Sequence, residues 1–446
     1  MTMPNQGSLP TVKKTALPLT LIAGLILLSG CQTLSSLFYQ ETASHQIPQP
    51  ETIATHEFDL SDGENMVGAI AAIDSRENDT LPDIARHFGL GYNDISIANS
   101  AVSPWTPTPG SHVLLPLQFI LPDSPHKGIA LNLANMRLFY YPPKQPGKVY
   151  TYPVGIGRQG WNTPMGLTSI VAKNANPSWR VPESIHREHA EKGDSLPAVV
   201  DAGPDNPLGL YAMRLGVPGY LIHGTNKPYG IGMQISHGCV QLYPEDIEAL
   251  FKKATVGMPV HIVHQPYLTA WRQDMLYLEA HEPLQKWTKD KAKLKKQVIR
   301  QLHEIGAKKS VAVDWEKVER ILRRSDGIPT PVLMHSPDIT QISANALQLK
   351  HPGRFYDQPV IQELKDSDWS VLVARFNDET QAQQLATMLN HQGPVIPARK
   401  VQKDDAYQVI AGPFKSKSEM KAAVKRIKMD FEIDAEPLKP RSTSVN

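Results

Sequence analysis

The placement of its two cysteines constrains this 446-residue chain more than any other feature. Cys31 closes Leu28-Ser29-Gly30-Cys31, directly after an apolar stretch over 16–28. Cys239 closes Ser236-His237-Gly238-Cys239, downstream of Ile222-His223-Gly224-Thr225-Asn226. A disulfide is the ordinary expectation for an exported protein with an even number of cysteines. Here it would tie an N-terminal targeting segment to the middle of the chain, which makes little structural sense. Two separately used thiols, one anchoring and one reacting, fit better.

The length suits two to four domains. The formal net charge of +2 gives no general pull toward nucleic acid, so no nucleic-acid partner is expected. The 38 prolines, well above the usual share of about 5%, gather near putative boundaries, where they act as short rigid connections. Lys13 and Lys14 precede the apolar stretch, as in an export signal. That stretch is shorter than the roughly 20 residues needed to cross a bilayer. Leu-Ser-Gly-Cys then resembles the bacterial lipoprotein processing site, which implies that Cys31 becomes lipidated and begins the mature chain. More than one acyl chain would hold it at a membrane. Gln32 stands where such lipoproteins often carry the aspartate of inner-membrane retention, so the expected location is the periplasmic face of the outer membrane.

The chain divides into a signal segment (1–31), a polar tether (32–71), a small αβ unit (72–118), a mostly-β domain (126–285), a basic helical segment with a Pro- and Ser-containing linker (286–366) and a C-terminal αβ domain (367–440). In the small unit, Thr80 is placed to cap a helix carrying Pro82 in its first turn and Ile84, Ala85 and Phe88 on one face. A second short helix is expected over 93–99 and a strand over 113–116. In the mostly-β domain, 129–133 and 137–141 read as strands around a turn at Ala134-Asn135, with further strand signals at 149–156, 167–172, 220–222 and 275–280. One clear helix is expected there, opening at Pro244 and ending before Gly257. In the C-terminal domain, 371–376 and 409–414 each precede a helix, at 379–389 and 419–427. With strands near 395–401 and 431–435 this predicts β-α-β-β-α-β.

The chemistry centres on Cys239. A free thiol is mostly protonated at neutral pH, its ordinary pKa being about 8.5. A neighbouring imidazole can take the proton and leave a nucleophile. Two histidines qualify. His237 would share a face with Cys239 on extended backbone. His223 ends a strand that could lie beside the Cys239 segment, and the accessible Gly224 carbonyl after it could orient the imidazole. Gly238 permits backbone that larger residues resist. The N–H groups of His237, Gly238 and Cys239 could face a developing oxyanion. A zinc site of one cysteine and two histidines ranks below this, because the paired ligand spacing is missing.

Several of these motifs resemble known families. His223-Gly224-Thr225-Asn226, Gly230-Ile231-Gly232 and Ser236-His237-Gly238-Cys239-Val240 together resemble the signature of the L,D-transpeptidase (YkuD-type) catalytic domain. Upstream, 132–138, Gly155-Ile156-Gly157, Thr163-Pro164-Met165-Gly166, Asn176-Pro177-Ser178-Trp179 and Asn206-Pro207-Leu208-Gly209 match further blocks. Residues 62–285 look like the members that attach Braun's lipoprotein to peptidoglycan. The small unit resembles a LysM module with Asn78 in place of the usual glycine; a plain helix pair without a ligand remains open. The C-terminal domain, with Gly412-Pro413-Phe414 after a strand, resembles the SPOR domain, which binds glycan strands lacking stem peptides; an unrelated ferredoxin-like domain remains open.

The resemblance implies a YkuD-like β-sandwich with few helices. It implies Cys239 as nucleophile, His223 as base, Gly224 as its orienting carbonyl, and Ser236, His237 and Gly238 as oxyanion and substrate surface. The family usually has arginine where this chain has Gln241, an amide that can hydrogen-bond a substrate carboxylate but not pair with it as an ion. The implied reaction is acyl transfer from a tetrapeptide stem of peptidoglycan, releasing D-alanine, to a diaminopimelate amine or a lipoprotein lysine. It needs no metal or organic cofactor. A hydrolase using water as acceptor and a catalytically lapsed wall-binding scaffold are the competing readings.

Overall fold

A computed structural model of the chain describes residues 53–61, 63–191, 196–358 and 360–438. Cys31, the signal segment and most of the expected tether lie outside the described residues. The hairpin formed by Gly128–Asn132 and Arg137–Tyr141 organises the rest, because both strands are buried along their whole length. Successive side chains on a strand point to opposite faces. Ile129, Leu131, Leu138 and Tyr140 enter one core, and Ala130, Phe139 and Tyr141 enter another. A strand apolar on both faces belongs inside a structure, with packing on each side.

This hairpin lies within a nine-stranded sheet. Its order is Glu57–Asp59, Lys148–Pro153, Arg137–Tyr141, Gly128–Asn132, Pro259–Val263, Gly166–Ala175, Tyr211–Leu215, Leu221–His223 and Val240–Gln241. The long strand Gly166–Ala175 pairs first with Pro259–Val263 and then, past a bulge between Ile170 and Ala172, with Tyr211–Leu215. A bulge bends and twists its strand. The two halves of the sheet thereby face one core. The hairpin contributes Leu131 and Leu138 to it, and the far half contributes Met213, Ile222 and Val240. Helix Pro244–Lys253 closes that core with Ile247 and Leu250. Proline occupies its first turn, Glu245 and Asp246 lie at its N-terminal end and Lys252 and Lys253 at its C-terminal end, all favourable to the helix dipole.

On the opposite face sits the small unit. Strands Ala71–Asp74 and His112–Leu115 pair around helices Leu81–His87 and Tyr92–Ala98. Thr80 caps the first helix by accepting from the Asp83 N–H at 3.2 Å, as the sequence predicts. Ile84, Ile95, Val113 and Leu115 pack there against Phe139 and Tyr141 of the hairpin.

The C-terminal domain has the expected β-α-β-β-α-β order. Its strands lie in the order Ala398–Lys403, Ala406–Phe414, Trp369–Phe376 and Glu436–Leu438, with helices Glu379–His391 and Lys417–Phe431. It meets loops of the nine-stranded sheet through Lys227 Nζ, 3.0 Å from Asp430 Oδ1, and through the Gly393 N–H, which donates to the Asn226 carbonyl at 2.7 Å. The multidomain, strand-rich organisation with few helices is borne out.

Four local expectations need correction. Glu57–Asp59, within the expected tether, is an edge strand that pairs with Lys148–Pro153. The hairpin Tyr267–Arg272 and Met275–Ala280 falls inside the expected boundary at 285, yet Leu276 and Leu278 share a core with Val298, Leu302, Ile321 and Leu322 of helices Lys291–Lys309 and Trp315–Arg324. The expected linker 325–366 supplies Thr330–Pro331 to that hairpin's sheet and Leu347–Gln348 to the sheet of the small unit. Glu57–Asp59, Thr330–Pro331 and Leu347–Gln348 each satisfy the unpaired backbone of a sheet edge, which periodicity within the segment does not reveal. A second helix, Glu183–Glu191, stands in the mostly-β domain; it buries only Ile185, so it carries no apolar stripe to be read.

Arg137 joins the hairpin to the small unit. It is 1% exposed, and its Nη2 donates to Asp94 Oδ2 at 2.7 Å and to the Gly89 carbonyl at 3.2 Å. Its guanidinium lies 4.1 Å from the Phe119 ring centroid. Removing one partner of such a pair leaves a buried charge behind. Arg137→Ala is therefore expected to destabilise the fold by about 3–5 kcal/mol, measured by chemical denaturation. Pairing it with Asp94→Ala should recover part of that loss.

Candidate active site

The strand Leu221–His223 runs parallel to Val240–Gln241, with Ile222 opposite Val240 and His223 opposite Gln241. Ile222 and Val240 both point into the core. By alternation, His223, Cys239 and Gln241 lie on the opposite side of this strand pair. The thiol of Cys239 is free, partly open to solvent and absent from the hydrophobic cores. Its hydrogen bond goes to the Gly219 carbonyl at 3.8 Å.

His223 is buried, and its Nδ1 lies 2.6 Å from the Gly224 carbonyl. A carbonyl only accepts, so Nδ1 carries the hydrogen and Nε2 is left as the basic nitrogen. Burial pushes the imidazole pKa down to about 4, while the Gly224 and Leu208 carbonyls pull the other way. Burial also raises the pKa of the Cys239 thiol, opposed by a hydrogen bond involving the Leu221 backbone. Both shifts favour a neutral thiol and a neutral imidazole in the resting protein.

The turn before Cys239 is held by side chains. Ser236 Oγ donates to the Cys239 carbonyl at 2.6 Å and accepts from the Gly238 N–H at 3.2 Å. Thr163 Oγ1 donates to the Gly238 carbonyl at 2.9 Å and accepts from the Gly157 N–H at 3.1 Å. Gly238 adopts φ +101°, and a Cβ there would come within 2.7 Å of the Tyr220 ring. Gly157 packs against it so closely that its own Cβ would lie 2.9 Å from Gly238 Cα. Both positions require glycine.

Two expectations change at this turn. The Gly238 N–H is consumed by Ser236, so it does not face an oxyanion. Among the described residues, no hydrogen bond takes the N–H groups of His237 and Cys239. His237 also departs from the extended backbone that would align it with the thiol, because the Ser236 bonds fold the chain into a turn. Its Nε2 instead lies 2.9 Å from Arg158 Nη2 and 3.0 Å from Glu188 Oε2, with the Trp161 ring edge-on at 4.9 Å. Arg158 Nη2 is 2.5 Å from the same Glu188 oxygen. The Arg158 guanidinium holds the Glu188 carboxyl down at about 2. Gln241 exchanges backbone hydrogen bonds with Gly155 at 2.8 and 2.9 Å, while its buried side-chain oxygen has no hydrogen-bond partner among the described residues.

Sequence reasoning singled out neither Arg158, Glu188, Thr163 nor Tyr220. Arg158 directly follows the Gly155-Ile156-Gly157 block and Thr163 opens the next one, so those two were within reach. Glu188 was not, because the helix carrying it has no sequence signature.

Comparison with known proteins gives the class of this strand-rich domain. An L,D-transpeptidase catalytic domain profile matches residues 126–262, and a SPOR domain profile matches 365–435. The chain is 38% identical over 266 residues to the probable L,D-transpeptidase YcfS of Escherichia coli K12, covering 58% of this chain and 82% of that protein. It is 37% identical over 286 residues to the probable L,D-transpeptidase ErfK/SrfK of Salmonella typhimurium, covering 62% of this chain and 91% of that one. The chain belongs to the L,D-transpeptidase family and is an enzyme of that class.

The neutral resting pair has a kinetic signature. A preformed thiolate–imidazolium pair would hold the thiol far below its ordinary pKa, so the alkylation rate would already be level by about pH 5. Here the rate of iodoacetamide addition at Cys239, followed by peptide mass spectrometry, should keep rising with pH to values above the ordinary thiol range. A plateau between about pH 5 and 7 would contradict the burial argument.

Proposed function

We propose that the chain is a peptidoglycan L,D-transpeptidase that carries the acyl group of a tetrapeptide stem as a thioester on Cys239. The observation that supports this best is the parallel register, which sets a free thiol and a buried, carbonyl-oriented imidazole on one face of adjacent strands. His223 Nε2 takes the thiol proton as sulfur attacks the carbonyl of the third stem residue, a diaminopimelate. The N–H groups of Cys239 and His237 receive the developing oxyanion. The intermediate collapses, the carbon–nitrogen bond to D-alanine breaks, and His223 returns the proton to the leaving amine. An acceptor amine then attacks the thioester, loses its proton to His223, and releases the thiol. The low basicity of a buried His223 suits a base that should give its proton up again.

The acceptor is the diaminopimelate amine of another stem or a lysine of an envelope lipoprotein, and water would make the enzyme a hydrolase. The C-terminal domain would hold glycan strands, keeping the enzyme at the wall. Lipidation of Cys31 would place it on the periplasmic side of the outer membrane; among the described residues no helix is long and apolar enough to cross a membrane.

The test is to incubate the full chain with tetrapeptide muropeptides, with and without an amine acceptor, and to follow D-alanine release, cross-links and the acyl adduct by mass spectrometry. Cys239→Ala is expected to abolish all three. His223→Gln should slow acylation by roughly a thousandfold or more, the scale seen when a base of this kind is removed. Activity unchanged in Cys239→Ala would end the proposal, and release without cross-links would assign water as acceptor. Removing 367–446 should weaken capture on bare glycan strands while turnover of soluble muropeptides persists; loss of that turnover would contradict the division of labour.

A further inference from the structure

The thioester reading implies a donor that carries carboxylates close to the scissile bond, and the catalytic turn must offer them a cation. The position two residues after Cys239 does not, since Gln241 is neutral and its side-chain oxygen is turned toward Gly155, whose Cβ position lies 3.4 Å away. The cation at this turn is Arg158. Its own N–H donates to the Ser236 carbonyl at 2.9 Å, which locks its backbone to the segment leading into the thiol. The preceding Gly157 packs on Gly238. Its guanidinium then reaches His237, two residues from Cys239, and lies partly open to solvent.

We propose that Arg158 is the donor-carboxylate receptor of this enzyme, and that Glu188 occupies it in the resting state as an internal stand-in for the substrate. This rests on the thioester reading above and adds the residue that selects the substrate. A planar guanidinium takes a carboxylate best through two parallel N–H bonds. Glu188 offers Arg158 one oxygen, through Nη2, and that oxygen also faces His237. Arg158 Nε is buried without a hydrogen-bond partner among the described residues. The resting contact thus leaves a donor of the fork unused, and a substrate carboxylate that takes the place of Glu188 could engage both Nε and Nη2. Glu188 sits on a helix whose one buried residue is Ile185. Trp161, edge-on to His237, walls the same corner. The carboxylate is either the C-terminal one of the departing D-alanine or the free one on diaminopimelate, which share this chemistry and differ in their distance from the scissile carbonyl.

The experiment measures D-alanine release by the full chain on three tetrapeptides: unmodified, amidated at the C-terminal carboxyl, and amidated at the free diaminopimelate carboxyl. For the C-terminal amide, release of alaninamide is followed. On the unmodified substrate, Arg158→Gln should raise KM roughly tenfold to a hundredfold, the range for losing a charged hydrogen-bonded pair, with a much smaller change in kcat. Arg158→Lys should restore part of that loss. On one amidated substrate the Arg158→Gln penalty should shrink to within about twofold, and which substrate it is names the carboxylate. Glu188→Gln removes the internal competitor and should lower KM. The proposal is overturned if Arg158→Gln leaves KM unchanged, if its penalty is the same on all three substrates, or if Glu188→Gln raises KM as much as Arg158→Gln does, since each would mean a purely structural ion pair. A wild-type chain that releases no D-alanine would instead overturn the thioester reading, and this assignment with it.

Discussion

The parallel contact between Leu221–His223 and Val240–Gln241 is the constraint on which the candidate chemistry depends. Parallel neighbours need a crossover, and here it contains the short helical turn Pro228–Gly230 and the strand Gln234–Ser236. That strand pairs with Ile156–Gly157, so the chain re-enters the sheet at a fixed height. The close approach of Gly157 to Gly238, and the bonds from Ser236 and Thr163 to neighbouring carbonyls, then leave the turn one conformation. The cysteine's position is thus over-determined by groups that need never touch substrate.

The electrostatics of the site are divided in space. On the strand face, burial keeps the thiol and the His223 imidazole neutral. At the outer side of the turn, Arg158 and Glu188 form an ion pair. A neutral pair costs little to bury, whereas a preformed ion pair would need compensation that two backbone carbonyls cannot supply. Charge would develop on the sulfur only as its proton leaves during attack, which places the demand on the transition state and not on the resting enzyme.

The modules are more interwoven than the chain order suggests. Segments remote in sequence complete one another's sheets: Glu57–Asp59 joins the nine-stranded sheet, Leu347–Gln348 the sheet of the small unit and Thr330–Pro331 the sheet of the downstream hairpin. Buried ionic contacts add to this, with Arg86 bridging bidentately at 2.8 Å to Glu245 at the start of helix Pro244–Lys253. The small unit therefore supports the domain that carries the site, whether or not it binds glycan itself. Residues that look like tether or linker are held by the sheets they complete.

Much of the fold was legible in the chain because its signals are local. The two-faced apolar hairpin, the Thr80 cap, the proline-led helix at Pro244 and the repeated strand–helix pattern at the C-terminus each follow from neighbouring side chains and backbone preferences. So did the candidate pair, since a histidine followed by glycine and a cysteine preceded by glycine mark themselves. What the chain alone did not decide is which backbone N–H faces a reacting oxygen, where the His237 ring goes, and that Arg158 and Glu188 meet at the turn. Those depend on hydrogen bonds and ion pairs between residues far apart in sequence, and such contacts exist only once the sheet has brought their strands and loops to the same place.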